Sequence, residues 1–106
     1  MKWRVVFTPG AERDARDALD YIAARSPLHA ERWFARLRTA INRLQTLPTR
    51  CPRAPEAALF AEEIRQVVFG SYRILYVIRK RTVVIVHIRH GARRPATGDE
   101  LVLPGD

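Results

Sequence analysis

The chain changes its hydrophobic periodicity once, at Ile64, and this change limits the folds open to it. Residues 9–46 carry apolar side chains every three or four positions, which is the spacing of one helical face. Residues 64–90 instead hold three runs rich in β-branched and aromatic residues, separated by Gly70-Ser71 and by the charged turn 79–81. A similar run, 2–7, precedes the helical part. The predicted order is therefore β-α-α-β-β-β.

Two start signals divide the helical part. Thr8-Pro9 and Ser26-Pro27 each place a capping side chain before a proline that fits the first helical position. Almost no chain separates the two helices, so they are predicted to form an antiparallel hairpin. The first strand must join the sheet to satisfy its backbone groups. We expect an α+β fold, with the hairpin packed on a small, mainly antiparallel sheet. Residues 1–95 are expected to form one domain, and 96–106 a tail.

The charge of the chain is concentrated in the predicted strands. The 106 residues carry 19 basic and 11 acidic side chains, a net charge of +8, yet residues 64–98 contain eight basic residues and no acidic one. Such a segment favours an anionic partner, either nucleic acid or an acidic protein. The apolar runs are far too short to cross a bilayer, and residues 1–7 do not resemble a signal peptide. We therefore expect a cytoplasmic protein without a membrane partner.

Strand alternation predicts which side chains share a face of the sheet. In the third strand Arg73 lies with Leu75 and Val77, and in the last strand His87 and Arg89 are predicted to lie with Val83 and Ile85. Two helices can cover only one face, so the other face is expected to be open. The candidates to line it and bind a partner are Arg65, Arg73, His87 and Arg89, with Arg93 and Arg94 just beyond the last strand.

The sequence offers little for metal or cofactor chemistry. His87 and His90 are expected on opposite faces of their strand, and acidic ligands are missing nearby, so neither a metal site nor a cofactor is predicted. Paired carboxylates, a glycine-rich phosphate loop and a nucleophile elbow are all missing. Any catalysis would therefore depend on arginines, a histidine or a tyrosine.

Four segments together resemble the RelE/ParE toxin family of bacterial type II toxin–antitoxin systems. They are FTPGAERDARDALDYIA (7–23), RWFARLRTAINRLQTLP (32–48), GSYRILYVI (70–78) and VVIVHIRHGARRP (83–95). The resemblance implies the same fold, a toxin that inhibits growth, often encoded with plasmid-stabilisation functions, and a cognate antitoxin that covers basic surface in a hetero-oligomer.

The family has two branches with different targets. In the RelE-like branch, a metal-independent endonuclease cuts mRNA on the ribosome, and the resemblance would make Arg73, Arg93 and His90 catalytic. Ile64 and Gln66 stand where that branch keeps a basic pair, and no tyrosine follows Tyr76. The His-Gly-Ala-Arg string at 90–93 is more similar to the ParE-like branch, which poisons DNA gyrase without known nuclease activity. The resemblance therefore favours the ParE-like function, with the RelE-like function as the alternative.

Overall fold

The computed structural model describes residues 2–105 and confirms the predicted order of elements. Strand β1 (Arg4–Phe7) leads into helices α1 (Pro9–Arg25) and α2 (Pro27–Thr46). Two short 3₁₀ turns follow, at Pro48–Arg50 and Pro55–Leu59. Strands β2 (Arg65–Phe69), β3 (Tyr72–Arg79) and β4 (Thr82–His90) complete the fold. No helix in this part of the chain is both long enough and apolar enough to cross a membrane.

Both helices begin where the sequence predicts. The N–H of Ala11 donates to Thr8 Oγ1 at 3.1 Å, and the N–H of His29 donates to Ser26 Oγ at 3.2 Å. Ser26 also donates its own N–H to the carbonyl of Ile22, at 2.8 Å. One residue therefore ends α1 and starts α2, which makes the hairpin tight.

The sheet is mixed and has the strand order β1-β4-β3-β2. Strands β2, β3 and β4 form an antiparallel meander, whereas β1 runs parallel to β4, with Arg4 opposite Thr82. The two hairpin turns contain Gly70 and Lys80, whose φ angles are +55° and +56°. The first strand thus joins the sheet as expected, and β1 and β2 are its two edges.

The first hydrophobic core lies between the helices and the sheet. Trp33 of α2 packs against Phe69 and Tyr72, with ring centroids 5.5 and 5.3 Å apart. Around this aromatic group lie buried side chains from all layers of the domain: Ala11, Leu37, Ala40, Leu44, Cys51, Val67, Ile74, Tyr76, Val83, Ile85 and Ile88. Their burial fixes which face of the sheet the hairpin covers.

The expectation that the other face of the sheet is open is wrong. Leu75 and Val77 on that face are fully buried, because the chain around Ala57 and the C-terminal segment cross over them. Ala96 and Leu101 of that segment are each 1% exposed. Irregular chain buries apolar side chains as well as a regular helix does, and strand alternation alone does not reveal such cover.

A second correction concerns the last strand. Leu75 pairs with His87, but the next residue, Tyr76, pairs with Ile85, so Val86 is an extra residue in β4. This β-bulge shifts the alternation by one position. His87 and Arg89 therefore lie on the face opposite Val83 and Ile85, and the prediction that these four side chains share a face is wrong.

Candidate functional site

Arg73, His87 and Arg89 lie on the face of the sheet away from the helices, which we call the second face. Arg65 lies opposite Tyr76 on the helix-covered face, so the prediction that it shares a face with the other three is wrong.

The centre of the second face is an ion pair between Arg73 of β3 and Glu56 of the 3₁₀ turn. Arg73 Nη1 donates to Glu56 Oε1 at 3.0 Å, and Nη2 donates to Oε2 at 2.7 Å. Gln66 Oε1 accepts a further bond from Nη1 at 2.8 Å. Arg73 is thus a buried side chain paired with a carboxylate and not the open cation that was predicted.

Glu56 also anchors the C-terminal segment. Its Oε2 accepts the backbone N–H of Ala96 at 2.8 Å, and the residue is 1% exposed. Burial alone would raise the pKa of Glu56, but the bonds from Arg73 and Ala96 and the charge of Arg73 lower it to about 2. The carboxylate therefore stays ionised at neutral pH and joins β3 to the C-terminal segment.

The depressed pKa of Glu56 predicts acid-labile folding. The folded-state pKa of about 2 lies below the ordinary value of 4.5, so protonation favours the unfolded state. Above about pH 4.5 the ionised Glu56 carboxylate stabilises the folded state by about 3 kcal/mol. This contribution is lost as the pH falls toward 2. Urea unfolding curves recorded between pH 2 and 7 measure this loss. The Glu56→Gln variant should show a shallower decline, and an equally steep one would contradict the assignment.

Arg89 belongs to a second network on the same face. Its Nε donates to the carbonyl of Arg94 at 2.9 Å, and its Nη1 lies 3.4 Å from both His87 Nε2 and Glu100 Oε2. His87 Nδ1 is 2.7 Å from Asp14 Oδ2, which also accepts the N–H of Ile88 at 3.1 Å. The network ties α1 to β4 and to the C-terminal segment.

Glu100 is the carboxylate around which the arginines at the end of β4 and in the segment after it are arranged. Its carboxylate lies 2.7 Å from an Arg94 nitrogen and 3.4 Å from an Arg93 nitrogen. It also accepts the backbone N–H and the hydroxyl of Thr97, at 3.1 and 3.2 Å. The Thr97 N–H and the Arg94 guanidinium lower the pKa of Glu100 to about 2. The Glu100 carboxylate thus forms salt bridges with three arginines, Arg89, Arg93 and Arg94.

Arg65 of β2 and Arg79 of β3 are also paired. Arg65 donates to the carbonyl of Cys51 at 2.6 Å and lies 2.9 Å from Glu63. Arg79 binds Glu62 through two bonds of 2.9 and 2.7 Å. A segment without acids in the sequence therefore has acids around it in space, because residues before and after it fold back onto the strands.

The residues of the predicted nuclease set are not brought together. His90 lies on the helix-covered face, where its ring packs edge-on against Tyr72 at 5.0 Å and its Nδ1 accepts the N–H of Ala92 at 3.0 Å. Arg73 lies on the second face, buried against Glu56. Arg93 lies beyond β4 with a 58% exposed side chain. The sheet separates the histidine from Arg73.

Sequence reasoning missed the acidic partners Asp14, Glu56 and Glu100. A local signal existed for one of them, since Thr97 and Glu100 have the spacing of a capping box, and Glu100 does accept the Thr97 N–H. Asp14 and Glu56 reach the strands only through tertiary packing. Between residues 2 and 105 the structure contains no group of three histidine, cysteine, aspartate or glutamate side chains placed to hold a metal ion.

Comparison with known proteins identifies the family. Residues 5–95 match the model of the family described as "ParE toxin of type II toxin-antitoxin system, parDE". The chain belongs to this family. The resemblance found in the sequence is thereby confirmed, and residues 96–106 lie outside the family match.

The similar proteins carry names from both the RelE and the ParE branches of the family. The chain is 38% identical over 91 residues to "Toxin RelE2" of Caulobacter vibrioides, an alignment covering 85% of this chain and 97% of the relative. A chain of the toxin–antitoxin complex RelBE2 from Mycobacterium tuberculosis is similar with a TM-score of 0.56 and 28% identity, covering 85% of this chain and 99% of that one.

A chain of the chromosomal ParDE system from P. aeruginosa shares the fold, with a TM-score of 0.67 at 14% identity. That similarity covers 83% of this chain and 95% of that chain. The two structures together confirm the helical hairpin on a four-stranded mixed sheet.

Proposed function

We propose that this type II toxin inhibits growth by poisoning DNA gyrase, that it is not a nuclease, and that a cognate antitoxin neutralises it. The observation that carries the proposal is the state of Arg73. Both of its terminal nitrogens are bonded to protein acceptors, two on Glu56 and one on Gln66, and the side chain is 10% exposed. Three of the five N–H donors of this guanidinium are therefore occupied, and Glu56 neutralises its charge, which disfavours binding to a phosphate.

Metal-independent RNA cleavage needs a cation and a proton-transfer group at the same phosphate. Arg73 and His90 lie on opposite faces of the sheet, which disfavours their acting together on one phosphate. The neighbouring Arg89 is also buried, with a 1% exposed side chain. These placements favour a protein that acts by binding.

The RelE-like function remains the second candidate because of one specific observation. The relative from Caulobacter vibrioides, at 38% identity, carries the name "Toxin RelE2". Ribosome-dependent mRNA cleavage by this chain would require the C-terminal segment to leave the second face, since Ala96 and Leu101 seal it.

The exposed part of the predicted binding set is its C-terminal end. The side chains of Arg93 and Arg94 are 58% and 61% exposed, whereas those of His87 and Arg65 are 12% and 25% exposed. We therefore assign contact with the antitoxin or the target to Arg93 and Arg94 first. An acidic antitoxin segment would compete there with Glu100 for the same guanidinium groups.

Two assays on the purified chain separate the two targets. We expect inhibition of gyrase supercoiling with accumulation of cleaved DNA, and no cuts in mRNA on translating ribosomes. The double variant Arg93→Gln/Arg94→Gln should weaken inhibition about ten-fold, an estimate that assumes each exposed charge contributes up to about 1 kcal/mol. The single variant Arg16→Gln on α1 is the control. Codon-positioned mRNA cuts without any effect on gyrase would overturn the proposal in favour of the RelE-like function.

A further inference from the structure

A groove runs between α2 and the outer edge of β2, on the side of the domain away from β1. We call it the α2–β2 groove. It consists of two adjoining cavities of about 320 and 250 Å³ that share Arg36 and Gly70. Its lining from α2 is His29, Arg32, Trp33, Arg36, Thr39, Ala40 and Arg43, and its lining from the β2–β3 hairpin is Val67, Val68, Phe69, Gly70, Ser71 and Tyr72.

The helical wall of this groove is a row of basic side chains. His29, Arg32, Arg36 and Arg43 are spaced by three, four and seven positions, which places them on one face of α2. No carboxylate lines either cavity, and across residues 2–105 none of the three arginines forms a salt bridge. This differs from the second face, where each arginine has an acidic partner. The groove therefore carries uncompensated positive charge.

The opposite wall is a partly uncovered strand edge. The N–H of Gln66 donates to the carbonyl of Pro52 at 3.0 Å, and Arg53 bridges to Arg65, so chain 52–54 covers the start of β2. Strand alternation directs the N–H and carbonyl of Val68 to the same outer side, beyond this cover. The side chain of Val68 is exposed, at 57%. An exposed backbone edge of this kind is a template for another strand.

We propose that the α2–β2 groove binds an extended acidic segment of a partner protein. The segment adds as a short strand beside Val68 and directs alternate carboxylates toward Arg36 and Arg43. The edge supplies main-chain hydrogen bonds, the Val67–Phe69 region supplies apolar contact, and the arginines select for acidic sequence. The backbone edge and apolar floor favour a peptide over a nucleic acid strand, whose sugar-phosphate chain cannot continue the ladder. This inference is independent of gyrase being the target.

The test uses a capped ten-residue peptide that alternates valine and glutamate, titrated into ¹⁵N-labelled protein. We expect amide shifts centred on Val68, Gly70 and Arg36. The double variant Arg36→Gln/Arg43→Gln should weaken binding about ten-fold, from two charge contacts of up to about 1 kcal/mol each. The matched control is Arg16→Gln/Arg38→Gln, which removes the same charge but lines a different groove, beside β1. Its affinity should equal that of the unchanged protein.

Three further results would overturn the proposal. The first is equal binding of a peptide with lysine in place of glutamate, which would remove the role of the arginines. The second is equal binding of a peptide with N-methyl groups on alternate amides, which cannot extend the sheet. The third is stronger shifts at the same amides with a ten-nucleotide thymidine strand, which would assign the groove to nucleic acid. All variants change exposed side chains, and unchanged spectra away from the groove verify the fold.

Discussion

Replacing Glu56 with glutamine is expected to lower the free energy of unfolding by about 3–5 kcal/mol. The substitution keeps the shape of the side chain but removes the charge that Arg73 faces in a buried site. A buried guanidinium left without its counter-charge has a large desolvation penalty. The change also weakens the bond to the Ala96 N–H and so loosens the C-terminal segment. Urea denaturation followed by circular dichroism measures the difference.

The control for Glu56 is Glu63, a carboxylate that pairs with Arg65 in an exposed position. Glu63→Gln should cost no more than about 1 kcal/mol, because solvent screens exposed pairs. Replacing both partners, as in Glu56→Leu/Arg73→Met, should recover most of the lost stability, since neither charge is then buried alone. If Glu56→Gln costs no more than Glu63→Gln, the central role of this pair is contradicted.

Replacing Leu101 with alanine should destabilise the protein by about 2–4 kcal/mol, the usual range for a buried leucine. Leu101 is 1% exposed and packs with Leu75, Val77 and Val86 on the second face. The loss should be accompanied by faster amide exchange in residues 96–105 and on β3. Hydrogen exchange and thermal unfolding together report both effects.

Val102 is the matched control for Leu101, because it is the next residue and is 72% exposed. Val102→Ala should change the stability by less than about 0.5 kcal/mol. If Leu101→Ala behaves in the same way, then the C-terminal segment is a tail outside the domain, as the division of the sequence into 1–95 and 96–106 predicts. We propose instead that this segment is an integral layer of the domain.

The sequence predicted the fold because local signals were strong and consistent. Thr8 and Ser26 cap helices by bonds within three residues, and the strand runs alternate with clear turns, so no tertiary information was required. The parallel direction of β1 was not predicted, since nothing local to residues 4–7 specifies which strand they pair with.

The candidate site was predicted less well, for two physical reasons. The bulge at Val86 places His87 and Arg89 on the face of the sheet opposite to the one that simple alternation predicts. A single extra residue in a strand cannot be recognised in a β-rich sequence. The acids that neutralise the arginines come from outside the basic segment, so counting charge along the chain overstated the charge of the surface. Glu56 in particular is 17 residues from Arg73. The sequence therefore identified the residue types of the candidate site, but it could not give the environment that each side chain has in the fold.

The pairing of β1 with β4 has a consequence for synthesis of the chain. Arg4 lies opposite Thr82, so β1 can join the sheet only when β4 is available to pair with it. While a ribosome is still adding β4, that strand lies close to the site of peptide-bond formation and cannot reach β1. The helical hairpin is complete much earlier and can form while translation continues. The complete sheet therefore forms only after β4 has left the ribosome, so each nascent chain passes through a period in which its helical hairpin can be folded while its sheet is not.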